Sequence, residues 1–189
     1  MIGRGIDQIL PRPCDPILHE DYVGSAMHYV QLAEAANGQI PRGVDPAYVW
    51  GAALDEFART RPAARIVNLE TSITRSEDYA RKGINYRTSP DNATCLTTAA
   101  IDCCLLANNH ILDWGRRGLL DTLTVLDRLH IKSAGAGKNL SAAGAPAGTR
   151  RRRRPARAGL FVRLHNERHS AGLGSDQSAR GRKSPNRAF

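Results

Sequence analysis

Apolar and polar residues follow two different periods over the first 146 residues of the chain. Apolar residues that recur at helical spacing predict helices, whereas short continuous apolar runs are typical of buried strands. Asp45 and Pro46 are residues typical of a helix start. The pattern predicts helices over residues 21–37, 46–59, 91–100 and 116–130, and strands over residues 64–69, 101–107 and 131–134.

The order of these elements indicates the fold class. Alternating strands and helices predict a mainly parallel sheet covered by helices, which is an α/β fold. Between the first two strands, residues 71–90 are polar and have no period. We expect a long loop there, and long loops commonly carry function.

Composition changes abruptly near the C-terminal end. Residues 1–149 contain 15 Lys and Arg against 16 Asp and Glu, a net charge of −1, whereas residues 150–189 contain 12 against 2, a net charge of +10. The last segment has few apolar residues and no period, which is typical of disorder. We therefore predict a domain over residues 1–146 and a disordered, arginine-rich tail over residues 147–189.

Cysteine usage and hydropathy exclude several classes of protein. The four cysteines lack the spacing of a zinc finger, and Cys103 and Cys104 lie in an apolar run where buried, reduced thiols are expected. The N-terminus lacks the apolar region of a signal peptide, and no segment approaches the roughly 20 apolar residues of a membrane span. As written, the chain is expected to be soluble and cytoplasmic.

Polar side chains follow two of the predicted strands. Asn68 and Glu70 come at the end of the strand over residues 64–69, and Asn109 and His110 follow the strand over residues 101–107. The ends of neighbouring parallel strands can converge on one pocket. Amide, imidazole and carboxylate groups could ligate a hard divalent ion there. The alternative is a polar turn with Asn109 and His110 bonded to backbone groups, Glu70 solvated and Asn68 a turn residue.

Three further residues are candidates near this site. Asp113 could orient His110 as a neighbouring carboxylate, or it could cap the following helix. Lys82 and Arg87 lie in the predicted loop, where they are either surface charges or ligands of an anionic substrate.

Taken together, five segments resemble the CapA, or poly-gamma-glutamate capsule synthesis, family of the calcineurin-like metallophosphoesterase superfamily. The resemblance covers about residues 1–146. The matching segments are MIGRGI (residues 1–6), VNLET (67–71), KGINYR with Pro90 (82–87), LANNH with Asp113 and Gly115 (106–110), and GLLDTL ahead of Gly135-Ala136-Gly137 (118–123).

The resemblance implies a partial, metallophosphatase-like layered α/β sandwich with a metal-dependent hydrolase site. Its divalent ion (Mn, Fe, Zn or Mg) would be held by Glu70, Asn109 and His110, with His110 and Asp113 in catalytic roles. Asn68, Lys82 and Arg87 would contact the substrate, an anionic small molecule or a polyglutamate-related compound. An intact family member would be membrane-anchored or exported. Fold alone does not establish the reaction.

The chain departs from the family pattern at both ends, so we expect it to be truncated. In the family, a Gly-Asp pair with a metal-binding aspartate precedes the segment that matches residues 1–6, and Asp7 is not a substitute for it. A late Gly-His-x-His segment is also absent, and the spacing of His165 and His169 is expected to be accidental. We therefore predict half of a metal site and little or no phosphoesterase activity.

The arginine-rich tail supports other interpretations. Five consecutive arginines, residues 150–154, resemble a GC-rich coding sequence translated in the wrong frame. That hypothesis fails if neither other frame continues the α/β pattern. The same arginines could bind nucleic acid without sequence specificity, which a comparison of DNA binding with and without residues 150–189 would test. A third possibility is a non-catalytic remnant, for which exposed sheet edges predict aggregation.

Overall fold

The structure is a computed structural model and describes residues 2–149 and 160–162. Its helices are α1 (Gly5–Ile9), α2 (Ala26–Asn37), α3 (Ala53–Thr60), α4 (Thr94–Thr98), α5 (Gly115–Arg128) and α6 (Leu140–Gly144). Its strands are β1 (Ile66–Asn68), β2 (Ser72–Ile73), β3 (Arg87–Thr88), β4 (Cys103–Leu105), β5 (Lys132–Ala134), β6 (Ala147–Thr149) and β7 (Leu160–Val162). Two 3-10 turns span Tyr48–Trp50 and Pro90–Ala93.

The main sheet has the order β1-β4-β5, and both strand pairs are parallel. Val67 pairs with Cys104, which in turn pairs with Ser133. The predicted α/β class is therefore confirmed, and the fold fits that of a metallophosphatase-like α/β protein. Because the strands are parallel, their carboxyl ends lie at one edge of the sheet, where Glu70 and His110 follow β1 and β4.

The helices before β4 and β5 end in the same way. Ala100 and His130 adopt left-handed backbone angles, with φ of 48° and 58°. In each case the next amide bonds back to the helix, from Ile101 to the Leu96 carbonyl at 3.0 Å and from Ile131 to the Leu126 carbonyl at 2.9 Å. These are Schellman helix stops, and both isoleucines and both leucines lie in the main core.

The prediction of an unstructured loop over residues 71–90 was wrong at both ends of that segment. β2 and β3 pair in parallel, and the Thr74 amide donates to the Thr88 carbonyl at 3.1 Å. All four residues of these strands are buried. A strand of two residues has no readable period, and its partner is distant in the sequence, so hydropathy could not indicate it.

Several predicted helices have different boundaries. The helix predicted over residues 46–59 is interrupted at Gly51, which has a φ of 49°, so that a 3-10 turn precedes α3. α2 begins at Ala26 because the Ser25 hydroxyl accepts a bond from the Met27 amide at 3.2 Å. The helix predicted over residues 91–100 begins instead as a 3-10 turn, Pro90–Ala93, in which the Ser89 hydroxyl accepts from the Asp91 amide, and α4 follows it.

The N-terminal helix α1, which hydropathy did not indicate, is anchored by a buried carboxylate. Asp7 is 1% exposed and accepts bonds from the Cys14 amide at 2.8 Å, the Ser89 amide at 3.1 Å and the Asn92 side chain at 2.7 Å. Burial raises the pKa of Asp7 despite these bonds. Asp7 thus ties α1 to the segment that follows β3.

Six described residues of the predicted disordered tail are ordered in strands, since β6 and β7 form an antiparallel pair. Ala147 packs with Cys103 and Ala134 beside the main sheet. The arginine run, His165 and His169 lie outside the described residues. Among the described residues, no helix is long and apolar enough to cross a membrane. All four cysteines are buried and free, and burial raises the pKa of Cys104 to about 12.

Candidate functional site

The ends of β1 and β4 are joined by a chain of side-chain hydrogen bonds. The side-chain amide of Asn68 donates to Glu70 Oε1 at 2.7 Å. Asn108, which follows β4, donates to Asn68 Oδ1 at 3.1 Å and to the Leu69 carbonyl at 3.0 Å. Asn108 Oδ1 accepts from the backbone amide of His110 at 3.0 Å. The structure therefore brings Asn68, Glu70 and His110 together at one edge of the sheet.

His110 is held in one orientation by its neighbours. Its Nδ1 lies 2.9 Å from Asp113 Oδ2, and its Nε2 lies 3.2 Å from the Asn109 side-chain nitrogen. A carboxylate accepts, so Nδ1 carries the proton in the neutral ring, and Nε2 keeps its lone pair and accepts from Asn109. We assign this tautomer from the hydrogen-bond pattern. The imidazole side chain is 12% exposed.

Asp113 is fully buried and orients His110. Its Oδ2 also accepts from the Tyr86 backbone amide at 2.5 Å, and its Oδ1 forms an ion pair with Lys82. Trp114 is the N-cap of α5, and no side chain makes a capping bond there. Of the two roles considered for Asp113, orientation of the histidine therefore matches the contacts and helix capping does not.

Lys82 reaches the site from the segment between β2 and β3. Its ammonium group donates to the Asn109 carbonyl at 2.6 Å and pairs with Asp113. The side chain is 33% exposed. Lys82 therefore balances the buried carboxylate of Asp113 and fixes the turn that carries Asn109.

Arg87 has other partners. It is buried, donates to the Ser76 carbonyl at 2.9 Å and to Glu77 Oε1 at 2.7 Å, and lies 4.0 Å from the centre of the Trp114 ring. A second guanidinium nitrogen donates to the Asp15 carbonyl at 3.3 Å. These contacts hold segments of the fold together, so the structure does not present Arg87 as a free surface charge.

Two residues of the site were given no role by sequence reasoning. Asn108 bridges the two strand ends, although it stands next to the candidate pair in the Asn-Asn-His motif. Tyr86 contacts His110 edge to face, with ring centres 4.3 Å apart. Its backbone is fixed at the amide by Asp113 and at the carbonyl by Trp114 Nε1, at 3.1 Å. The KGINYR segment contained Tyr86, but only the fold shows what it contacts.

The donors that remain for a metal ion are few. The Glu70 carboxylate, His110 Nε2 and the Asn109 amide oxygen are of the kinds that divalent ions accept. Their chemistry fits such an ion. The hydrogen bond that Nδ1 of His110 donates to Asp113 is typical of a metal-binding histidine. In residues 2–149 and 160–162, however, no group of three or more His, Cys, Asp or Glu side chains could hold a metal. These donors would leave most coordination positions of a hard divalent ion to solvent or to other groups.

A parallel α/β sheet with an Asn-His pair after one strand and a glutamate after its neighbour defines the chain as an α/β protein of the metallophosphatase-like class. The chain belongs to the bacterial capsule synthesis protein family PGA_cap, whose model matches residues 1–186. This confirms the resemblance to the CapA family.

Two curated relatives are similar to about three quarters of the chain. Both are described as a probable polyglutamine synthesis accessory protein, from two strains of Mycobacterium tuberculosis. Each is 49% identical over 144 residues, which is 76% of this chain and 38% of the relative. The chain thus spans little more than a third of the length of these relatives.

Proposed function

We propose that this chain serves an accessory function in the synthesis of capsular polyglutamate, and that its strand-end site binds a divalent metal ion next to an anionic substrate. Family membership and the descriptions of the relatives support the first part. The second part rests on one observation, namely that Asp113 holds Nδ1 of His110 and leaves Nε2 with a lone pair.

The residues of the site have distinct tasks in this proposal. His110 Nε2 and Glu70 are the ligands, and Asn109 would turn its amide oxygen toward the ion. Asp113 is a positioning residue that fixes the histidine ring, while Asn68 fixes Glu70 through the 2.7 Å bond. When bound, a divalent ion supplies Lewis acidity toward a phosphoryl or carbonyl oxygen.

Mn²⁺ binding to the 189-residue chain, measured by calorimetry and by electron paramagnetic resonance, tests the metal site. We expect His110→Ala and Glu70→Gln each to weaken binding by at least about tenfold. His28→Ala is the matched control, because His28 is an exposed histidine on α2. If the His110 and Glu70 variants bind Mn²⁺ as well as His28→Ala does, the proposed metal site is wrong.

Hydrolysis is expected to be weak even with Mn²⁺ bound, because the proposed site has only one carboxylate ligand and one imidazole ligand. Release of nitrophenolate from bis(p-nitrophenyl) phosphate measures it. Robust Mn²⁺-dependent turnover that His110→Ala abolishes would contradict this expectation.

The accessory role can be tested in a capsule-producing bacterium that lacks its own member of the family. We expect the chain, or a full-length relative with the same site, to restore capsular polymer measured by immunoassay. The same protein with the His110→Ala change should restore less polymer than the His28→Ala control. Equal restoration by the two variants would separate the accessory role from the strand-end site.

A further inference from the structure

A cavity of about 280 Å³ lies between α1, α2 and Tyr86. Ile9, Ala33 and Ile40 are among the residues that make its walls apolar. Arg4, Tyr29 and Tyr86 contribute polar groups to the same lining. An apolar cavity with a few polar groups on one side is the usual form of a small-molecule site.

The Tyr86 ring is a wall shared by this cavity and the histidine site. Its centre is 4.3 Å from the His110 ring centre and 5.0 Å from the guanidinium carbon of Arg4. The guanidinium carbon of Arg4 therefore lies at most about 9 Å from the His110 ring centre, because the two distances to Tyr86 are 5.0 Å and 4.3 Å. Arg4 and the imidazole therefore lie near the same ring, although His110 is not among the residues that line the cavity.

Arg4 is the one charged residue among those that line the cavity, all of which the structure describes. Its guanidinium carbon lies 4.1 Å from the Tyr29 ring centre and 5.0 Å from that of Tyr86, so it stands between two lining rings. Glu20 pairs with Arg4 at 2.5 Å, but Glu20 is 1% exposed and does not line the cavity. Glu20 thus fixes the arginine from outside the cavity.

The neighbours of Arg4 hold it in place. The Arg4 amide donates to the Arg87 carbonyl at 3.2 Å, and Gly3 permits this approach, since a Cβ there would lie 2.7 Å from the same oxygen. The Tyr29 hydroxyl accepts from Arg4 and donates to Glu20 at 3.1 Å. Burial raises the pKa of Tyr29 to about 12, so this phenol remains a neutral donor.

We propose that this cavity binds a small anionic molecule with an apolar body, whose negative group pairs with Arg4 and whose apolar part packs against Ile9, Ala33 and Ile40. The inference goes beyond the proposed function, because the cavity lining does not include His110. The tyrosines contribute aromatic surface and hydroxyl groups next to the anion. An apolar compound without the charge would fill the cavity but would not use Arg4.

Two fluorescent probes of similar shape test the proposal on the 189-residue chain. The probe 8-anilino-1-naphthalenesulfonate is anionic, and N-phenyl-1-naphthylamine is uncharged. We expect Ala33→Phe to weaken the binding of both probes by at least about tenfold, because the new ring occupies the cavity. Ala36→Phe is the matched control, since Ala36 is an exposed alanine on the same helix. Equal binding of the probes to these two variants would overturn the proposal.

A second pair of variants tests the charge. We expect Arg4→Met combined with Glu20→Gln to lower the affinity for the anionic probe by at least about tenfold. The affinity for the uncharged probe should stay nearly unchanged. Removing both partners avoids an unpaired buried carboxylate. Glu20→Gln alone should leave the affinity for the uncharged probe unchanged and should not weaken binding of the anionic probe, because a neighbouring negative charge is removed. If the double variant weakens the two probes equally, Arg4 does not recognise the anion and the proposal is wrong.

Mn²⁺ titration of the same variants separates this inference from the proposed function. Unchanged Mn²⁺ affinity in Ala33→Phe, together with loss of both probes, supports a local block of the cavity. If the chain does not bind Mn²⁺ but the probe results hold, the proposed metal site fails and the cavity stands as a ligand site. If Mn²⁺ binds but Ala33→Phe retains the probes, the cavity inference fails alone.

Discussion

Truncating Asp113 to alanine should destabilise the fold far more than replacing it with asparagine. Asp113 Oδ2 accepts two bonds, from the Tyr86 amide at 2.5 Å and from His110 Nδ1 at 2.9 Å. Alanine leaves the Tyr86 amide with no acceptor in a buried place. Asparagine keeps an oxygen for both donors and loses mainly the charge that faces Lys82.

The expected magnitudes follow from these contacts. A hydrogen bond to a charged group contributes about 1.5–3 kcal/mol, so loss of two predicts a decrease of about 3–6 kcal/mol in the unfolding free energy of Asp113→Ala. The Lys82 side chain is 33% exposed, so its ion pair contributes about 1 kcal/mol or less. Asparagine also makes both bonds neutral and therefore weaker, so Asp113→Asn should lose about 1–3 kcal/mol of unfolding free energy.

Urea unfolding followed by tryptophan fluorescence measures both changes, because Trp114 is buried next to Asp113. Asp21→Ala is the control, since Asp21 is exposed, and it should stay within about 0.5 kcal/mol of the unmodified chain. Nitrogen NMR of the imidazole provides a second readout. The unmodified chain should carry the proton of neutral His110 on Nδ1, and Asp113→Ala should populate the form with the proton on Nε2.

Two results would refute this reasoning. If Asp113→Ala and Asp113→Asn lose the same small amount of free energy, the bonds to Tyr86 and His110 do not stabilise the fold. If neutral His110 in the unmodified chain carries its proton on Nε2, the lone pair assigned to the metal does not exist.

Two further predictions concern the fold around the site. Burial raises the pKa of Asp7, so the contribution of its carboxyl to stability is full below the pKa of the unfolded chain and is lost as pH rises through the folded pKa. In urea unfolding, the stability of Asp7→Asn relative to the unmodified chain should therefore increase as pH rises above the ordinary pKa of an aspartate, and the opposite trend would contradict this. Gly118→Ala should lose about 1–3 kcal/mol in the same assay, although alanine favours helices, because its Cβ would lie 2.6 Å from Trp114 Cβ. Gly144→Ala is its control, with no atom within 4 Å of the added Cβ, and equal losses would show that packing at Gly118 is not the cause.

Hydropathy was sufficient for the main sheet and its helices. β4 and β5 are preceded by apolar residues that enter the core, such as Ile101 and Ile131, and α5 buries one face against it. These signals are local, so they can be read from a short window of sequence. β2 and β3 could not be read in this way, because each is two residues long and is defined by its distant partner.

The candidate site was predictable in its residue types more than in its contacts. Asn109 and His110 stood out because an amide and an imidazole follow an apolar strand. The role of Asp113 stayed open, since the choice depends on the Tyr86 amide, which arrives from a different segment. The burial of Arg87 could not be predicted either. A guanidinium is expected at the surface unless its partners are known. Those partners, the Ser76 and Asp15 carbonyls and Glu77, become neighbours only in the folded chain.

The two Schellman stops determine where the protein tolerates changes in length. Ala100 ends one helix and Ile101 is anchored in the core, so the segment from there to His110 has fixed ends. An inserted or deleted residue in that segment would rotate the imidazole away from Asp113 and break the bridge made by Asn108. The same change in the exposed turn that follows α2 moves no site residue. Among relatives that keep the site, gaps should accumulate after α2 and be absent between the helix stop and the histidine.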